Sequence, residues 1–153
     1  MTSGHAKYQL HWLENNLSED IAFHKPEVAT WRDVPFARDL GSAKLRTQRL
    51  GLGMTMFQWK FSLTEKVLGE KIPLTHITST YPEKSLAIAS VFGGSVGFND
   101  ADLPNEILVG PDTELFRVMK GVETTLNLYG SKEVVLIHLR ISKERLNILL
   151  GDV

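Results

Sequence analysis

The side chains best suited to chemistry are the five histidines, His5, His11, His24, His76 and His138. None forms a His-X-His pair. The first three fall in an irregular N-terminal stretch. His76 and His138 lie on separate predicted strands and could meet inside a barrel. Two imidazoles without a partnered carboxylate fall short of the three protein ligands that a catalytic zinc-type centre uses. The expectation is therefore no metal and no cofactor. His138 alternates with Val134, Leu136 and Arg140. The opposite face, Val135, Ile137, Leu139 and Ile141, reads as core. Two placements remain for His138 and Arg140. They face solvent at the barrel's edge, or they face the lumen, where they offer an acidic ligand a charge and a hydrogen bond. Phe57, Trp59 and Phe61 form an aromatic stripe that reads either as barrel core or as the lining of an apolar pocket. Trp59 is the best single candidate, because its ring can pack against a ligand while its N–H orients it. On this reading Trp59→Ala weakens binding and leaves the fold intact.

Other chemistries find little support. The chain has no cysteine, which excludes disulfides and thiolate sites. No G-x-S-x-G is present, and Gly94-Ser95-Val96-Gly97 reads as a hairpin rather than a strand-to-helix elbow. Gly51-Leu52-Gly53 is not followed by the helix start with Lys-Ser/Thr that a phosphate loop needs. Glu19-Asp20 and the Asp100/Asp102 pair fall in predicted turns. The expectation is a protein that is not an enzyme. Among 153 residues, 17 Lys and Arg balance 18 Asp and Glu, so the basic footprint of a nucleic-acid binder is missing. The N-terminal residues lack the apolar core of a secretory signal. No apolar run is long enough to cross a bilayer. The expected location is the cytoplasm.

The elements that must position these residues are short strands punctuated by Gly and Pro, the pattern of a sandwich, jelly roll or barrel. Residues 1–43 read as an arm or a set of edge segments, residues 44–141 as a β-barrel, and residues 142–153 as the start of a helix. In the barrel, Leu50, Leu52, Met54 and Met56 occupy one face and Phe57, Trp59, Phe61 and Leu63 the other. That phase change predicts a bulged strand or two consecutive strands. Ile72–Thr80 and Leu86–Phe92 read as two strands around a Tyr81-Pro82-Glu83-Lys84 turn. Gly93-Gly94 closes a hairpin onto Ser95–Phe98. Glu114–Lys120 and Thr124–Tyr129 read as two strands broken at Gly121. Val134–Ile141 is the last strand, after which Ser142 caps a helix striped with Leu146, Leu149 and Leu150.

In this order, LAIASVFGGSVGFN (86–99), EILVGPDTELFRVMKG (106–121) and VVLIHLRISKERLNILLG (134–151) resemble the N-terminal cupin-like, or jelly-roll, domain of AraC-family transcriptional regulators. The likeness spans residues 44–151 and rests on hydrophobic pattern and turns. It implies a mainly β, cupin-like barrel with an N-terminal arm and a short C-terminal helix. It further implies a domain that binds a small-molecule effector and forms a homodimer, with Leu146, Leu149 and Leu150 at the dimer contact. DNA would be bound only by a C-terminal domain carrying two helix-turn-helix motifs. Neither motif occurs before Val153, so the expectation is a sensing half separated from its DNA-binding half. The ligand-binding candidates are Phe57, Trp59, Phe61, His76, His138 and Arg140. The rival reading is a stand-alone metal-dependent cupin enzyme, an isomerase or oxygenase. Such cupins hold their metal with two closely spaced histidines, a glutamate and a distant third histidine, a pattern this chain lacks.

Overall fold

The computed structural model describes residues 7–36 and 39–151; His5 and Val153 lie outside the described residues. The strands are β1 (Lys7–Trp12), β2 (Leu17–Asp20), β3 (Arg32–Asp33), β4 (Gly41–Arg49), β5 (Met54–Leu63), β6 (Lys71–Phe92), β7 (Ser95–Asp100), β8 (Ile107–Val109), β9 (Glu114–Tyr129) and β10 (Glu133–Ser142). One helix, α1 (Lys143–Leu150), follows. Every paired strand runs antiparallel to its neighbour. No described helix is long and apolar enough to cross a membrane.

Two long strands organise the rest. The first half of β6 lies between β1 and β9, and its second half between β10 and β9. The second half of β9 also pairs with β7. One layer therefore reads β8-β7-β9-β6-β1-β2 and the other β3-β4-β5-β10-β6-β9, with β6 and β9 common to both. This is the two-layer arrangement of a jelly-roll barrel, the fold class expected from the sequence. The layers change over where the β6–β9 register shifts between Thr80 and Ser85. The predicted turn at residues 81–84 is thus an irregularity inside one strand. Gly121 does not break β9 either. A Cβ at Gly121 would meet the Ser79 carbonyl oxygen at 2.8 Å, so glycine lets the two backbones approach closely where the strands bend.

Local expectations resolve in the same way. β5 carries no bulge: its register against β10 runs unbroken from Ser62 to Met54. Met54 and Met56 simply belong to its outer face, while Leu50 and Leu52 lie in the turn before it. Within the stretch read as an arm, β1 is an inner strand of the first layer, and its Tyr8, Leu10 and Trp12 are buried in the core. β10 corrects the sequence reading of its faces. Val134 and Leu136 are fully buried, while Val135, Ile137 and Leu139 lie half-buried on the outside; of the face read as core, Ile141 alone is buried. Ser142 caps α1 by accepting a hydrogen bond from the Arg145 N–H (3.1 Å). Leu146 is half-buried, and Leu149 and Leu150 are exposed.

Candidate functional site

Strand register brings an unusual set of side chains onto the inner face of the second layer. One row across it reads Thr55, Arg140, Ala87, Arg117. The next reads Phe57, His138, Ala89, Leu115. The two alanines in mid-row leave depth between the larger groups. Facing them from the first layer are Tyr8, Ser79 and Thr124, with Tyr81 at the changeover. Between the layers lies a small cavity bordered by Phe57, Trp59, Leu136 and His138 on one side and Tyr8, Ser79, Tyr81 and Thr124 on the other. A water centre has about 30 Å³ to move in, room for one or two waters. A larger guest enters only if side chains swing aside.

Arg140 is 6% exposed, and among the described residues no carboxylate pairs with it. Its Nε donates to Ser85 Oγ (3.1 Å), and its guanidinium lies 4.3 Å from the Tyr81 ring centroid. A cation–π contact offsets part of the cost of burying a charge but does not neutralise it. Arg117, by contrast, is paired with Asp100 and packs over Phe98 (5.1 Å). The His138 ring packs on Phe57 (5.8 Å). Burial, with a smaller contribution from the Arg117 charge, lowers its pKa from 6.5 to about 4. The imidazole is therefore neutral at pH 7 and offers both a donor and an acceptor. Burial also pushes the Tyr8 phenol far above its ordinary value, with Tyr81 adding to the shift, so Tyr8 stays protonated and supplies no counter-charge. Around these groups, the hydroxyls of Tyr8, Thr55, Ser79, Tyr81 and Thr124 and one Asp100 carboxylate oxygen are buried without a hydrogen-bond partner among the described residues. Such unpaired groups are few in ordinary cores. Of these, Tyr8, Ser79, Tyr81 and Thr124 line the cavity, where a water could bond to them.

The sequence candidates divide accordingly. Phe57, Trp59 and His138 border the cavity. Arg140 lies inward beside Tyr81, so the solvent-facing placement of His138 and Arg140 does not hold. Phe61 is fully buried away from the cavity, stacked on Trp59 (6.1 Å) and tilted against Phe36 (6.2 Å). His76 does not meet His138. It stands on the outer face of β6, bonded to Thr125 (3.0 Å) and Glu123 (3.2 Å). The alternation within β6 turns it away from the inward Leu10–Ile77 and Trp12–Thr75 pairs. Among the described residues no three His, Asp or Glu side chains gather where they could hold a metal. Tyr8, Ser79, Tyr81, Arg117 and Thr124 were not foreseen. The one available signal was Arg117, a charge interrupting the Leu115/Met119 face.

No protein-family model matches the chain, and no curated protein matches it. Solved structures resemble it at low identity. The cupin domain of Schizosaccharomyces pombe Cnp3 is 10% identical with a TM-score of 0.47, covering 95% of this chain and 92% of that one. An oxalate oxidase in complex with the substrate analogue glycolate is 16% identical, TM-score 0.41, covering 61% of this chain. The matched region spans 44% of the oxidase's own length. An HTH_3 family transcriptional regulator from Vibrio cholerae is 10% identical, TM-score 0.42, covering 70% of this chain and 54% of that one. The expectation that the chain is not an enzyme is withdrawn, since an oxalate oxidase is among the structures it resembles, and a fold by itself neither confers nor excludes catalysis.

Proposed function

We propose that the chain is a small-molecule-binding barrel whose ligand carries a carboxylate or similar anion on a compact aromatic or apolar body. The observation that carries this reading is Arg140, a buried guanidinium with no carboxylate partner among the described residues. An anion seated against it would supply the missing charge through charge-assisted hydrogen bonds. The hydroxyls of Tyr8 and Tyr81, which line the cavity, would complete its coordination, while Phe57 and Trp59 would receive the body of the molecule. The resemblance of LAIASVFGGSVGFN and VVLIHLRISKERLNILLG to AraC-family sensing domains supports a regulatory setting. In it, a ligand that binds one side-chain arrangement better than another shifts the population passed to a DNA-binding domain.

Benzoate and its neutral counterpart benzamide test the charge requirement. Benzoate is expected to raise the melting temperature and change the fluorescence of Trp12 and Trp59, with benzamide at least tenfold weaker. Arg140→Met is expected to abolish the benzoate response. Equal binding of the two probes, or unaltered benzoate binding by Arg140→Met, overturns the reading. For the regulatory setting, the reading frame beyond codon 153 should continue into two helix-turn-helix patterns; an immediate stop would remove that setting.

A further inference from the structure

The borders of the two layers are unequal. β2, β3 and β8 are edge strands of 4, 2 and 3 residues. The fourth border is the first half of β9, from Glu114 to Lys120, which pairs with β6 on one side and with no strand on the other among the described residues. Long open edges invite another strand, and proteins commonly blunt them with charges, proline or bulges. Here the outward-facing side chains at mid-edge are Phe116, 59% exposed, and Val118, 73% exposed. They continue an apolar outer surface. Register places half-buried Leu139 and Ile88 beside Phe116 in one row, and buried Ile141 and half-buried Leu86 beside Val118 in the next.

The edge sequence is Glu-Leu-Phe-Arg-Val-Met-Lys. Turned through a two-fold axis at Arg117, it meets itself in complementary register. Glu114 falls opposite Lys120 of the second copy, Leu115 opposite Met119, and Phe116 opposite Val118. Each pair shares a face, as antiparallel pairing requires. Glu114 and Lys120 have no ion-pair partner within the chain among the described residues. The one like-charged meeting, Arg117 with itself, is moderated because each Arg117 already holds its own Asp100.

We infer that the free edge of β9 is a homodimer interface, on which a second copy of this chain adds its own β9 antiparallel across a two-fold axis centred on Arg117. This isologous arrangement extends the second layer continuously through both protomers. It puts the dimer contact on a strand edge rather than on Leu146, Leu149 and Leu150 of α1.

Sedimentation of the 153-residue chain across a concentration series tests the inference. The wild type is expected to show a monomer–dimer equilibrium. Glu114→Lys and Lys120→Glu each place like charges opposite one another twice per dimer. Each is expected to raise the dimer Kd by about three- to tenfold, on the scale of cross-strand charge pairs. The double exchange E114K/K120E restores opposite charges and should return Kd to within about twofold of wild type. Both positions are exposed, so the fold should survive, and circular dichroism checks that it does. A monomer at every concentration overturns the inference. So does a dimer indifferent to all three variants, or one lost on Leu149→Glu but not on charge reversal.

Discussion

Arg140 lies over Tyr81 with its guanidinium carbon 4.3 Å from the ring centroid, a cation laid on an aromatic face inside a barrel. Beyond Ser85, it has no hydrogen-bond or ion-pair partner among the described residues. Replacing an incompletely paired buried charge by an apolar side chain of similar length tends to stabilise a protein. Arg140→Met should therefore raise the urea midpoint, with a gain of about 1 kcal/mol. A loss of that size would show that the arginine is structurally compensated.

His138 makes stability pH-dependent in a defined window. Its pKa is about 4 in the folded chain against an ordinary 6.5. Between these values the unfolded chain binds the extra proton, so stability rises with pH there. It is fully present above about 6.5, falls as pH drops, and stops falling below about 4. The span corresponds to about 3 kcal/mol. Urea titrations of wild type and His138→Gln should differ in slope across that range; parallel curves would place the lability elsewhere.

A second acid-sensitive group sits on the outer face of the first layer. Burial alone would raise the Glu106 pKa, but hydrogen bonds from Tyr129, Asn127 (2.9 Å) and Asn99 (2.9 Å), with the Lys71 ammonium at 3.4 Å, hold it below its ordinary value. Its contribution is present above the ordinary glutamate range and is lost as pH falls through the lowered folded value. Loss therefore begins where the His138 loss is ending. The Glu106 carboxylate rests on Gly97, where a Cβ would overlap it. Gly97→Ala should cost about 1–3 kcal/mol at pH 7, and much less in a Glu106→Ala background. Additive costs in that double-mutant cycle would separate the two residues.

Trp59 is 2% exposed, edge-on to Trp12 (5.8 Å) and stacked on Phe61. Trp59→Ala is therefore a large core deletion, expected to cost about 3–5 kcal/mol in chemical denaturation, rather than the mild binding variant its sequence position suggested. Trp59→Phe, with a smaller volume change, should stay folded and serve as the probe of cavity binding.

Most strand positions were legible because Gly, Pro and alternation mark them locally, but the same signals misled at residues 81–84 and at Gly121, where β6 and β9 run on unbroken. Ser142 as a cap needed no tertiary information. Gly93-Gly94 does end β6, but the hairpin read there does not form: β7 pairs with β9 and β8, and β9 lies between it and β6. The faces of β10 were not legible, because both are largely apolar and its interior face carries the polar pair. His138 and Arg140 look like an outward edge when burial is inferred from polarity alone. Trp59 and Phe57 could be named from their stripe. Tyr8, from an N-terminal strand, and Arg117, from another, reach the same cavity through pairings distant in sequence.

β6 and β9 each run through both layers, joined from Lys71–Tyr129 at one end to Ser90–Glu114 at the other. A sandwich of two independent sheets has a seam along which one can loosen first. This barrel has none, since parting the layers means breaking the same two strands that hold each together. Heat should therefore undo it in a single transition, with fluorescence and circular dichroism superimposed. Its assembly must wait for β6 and β9 to find each other across pairs as far apart in sequence as Lys71 and Tyr129, which sets a slow folding step on the scale of milliseconds to seconds.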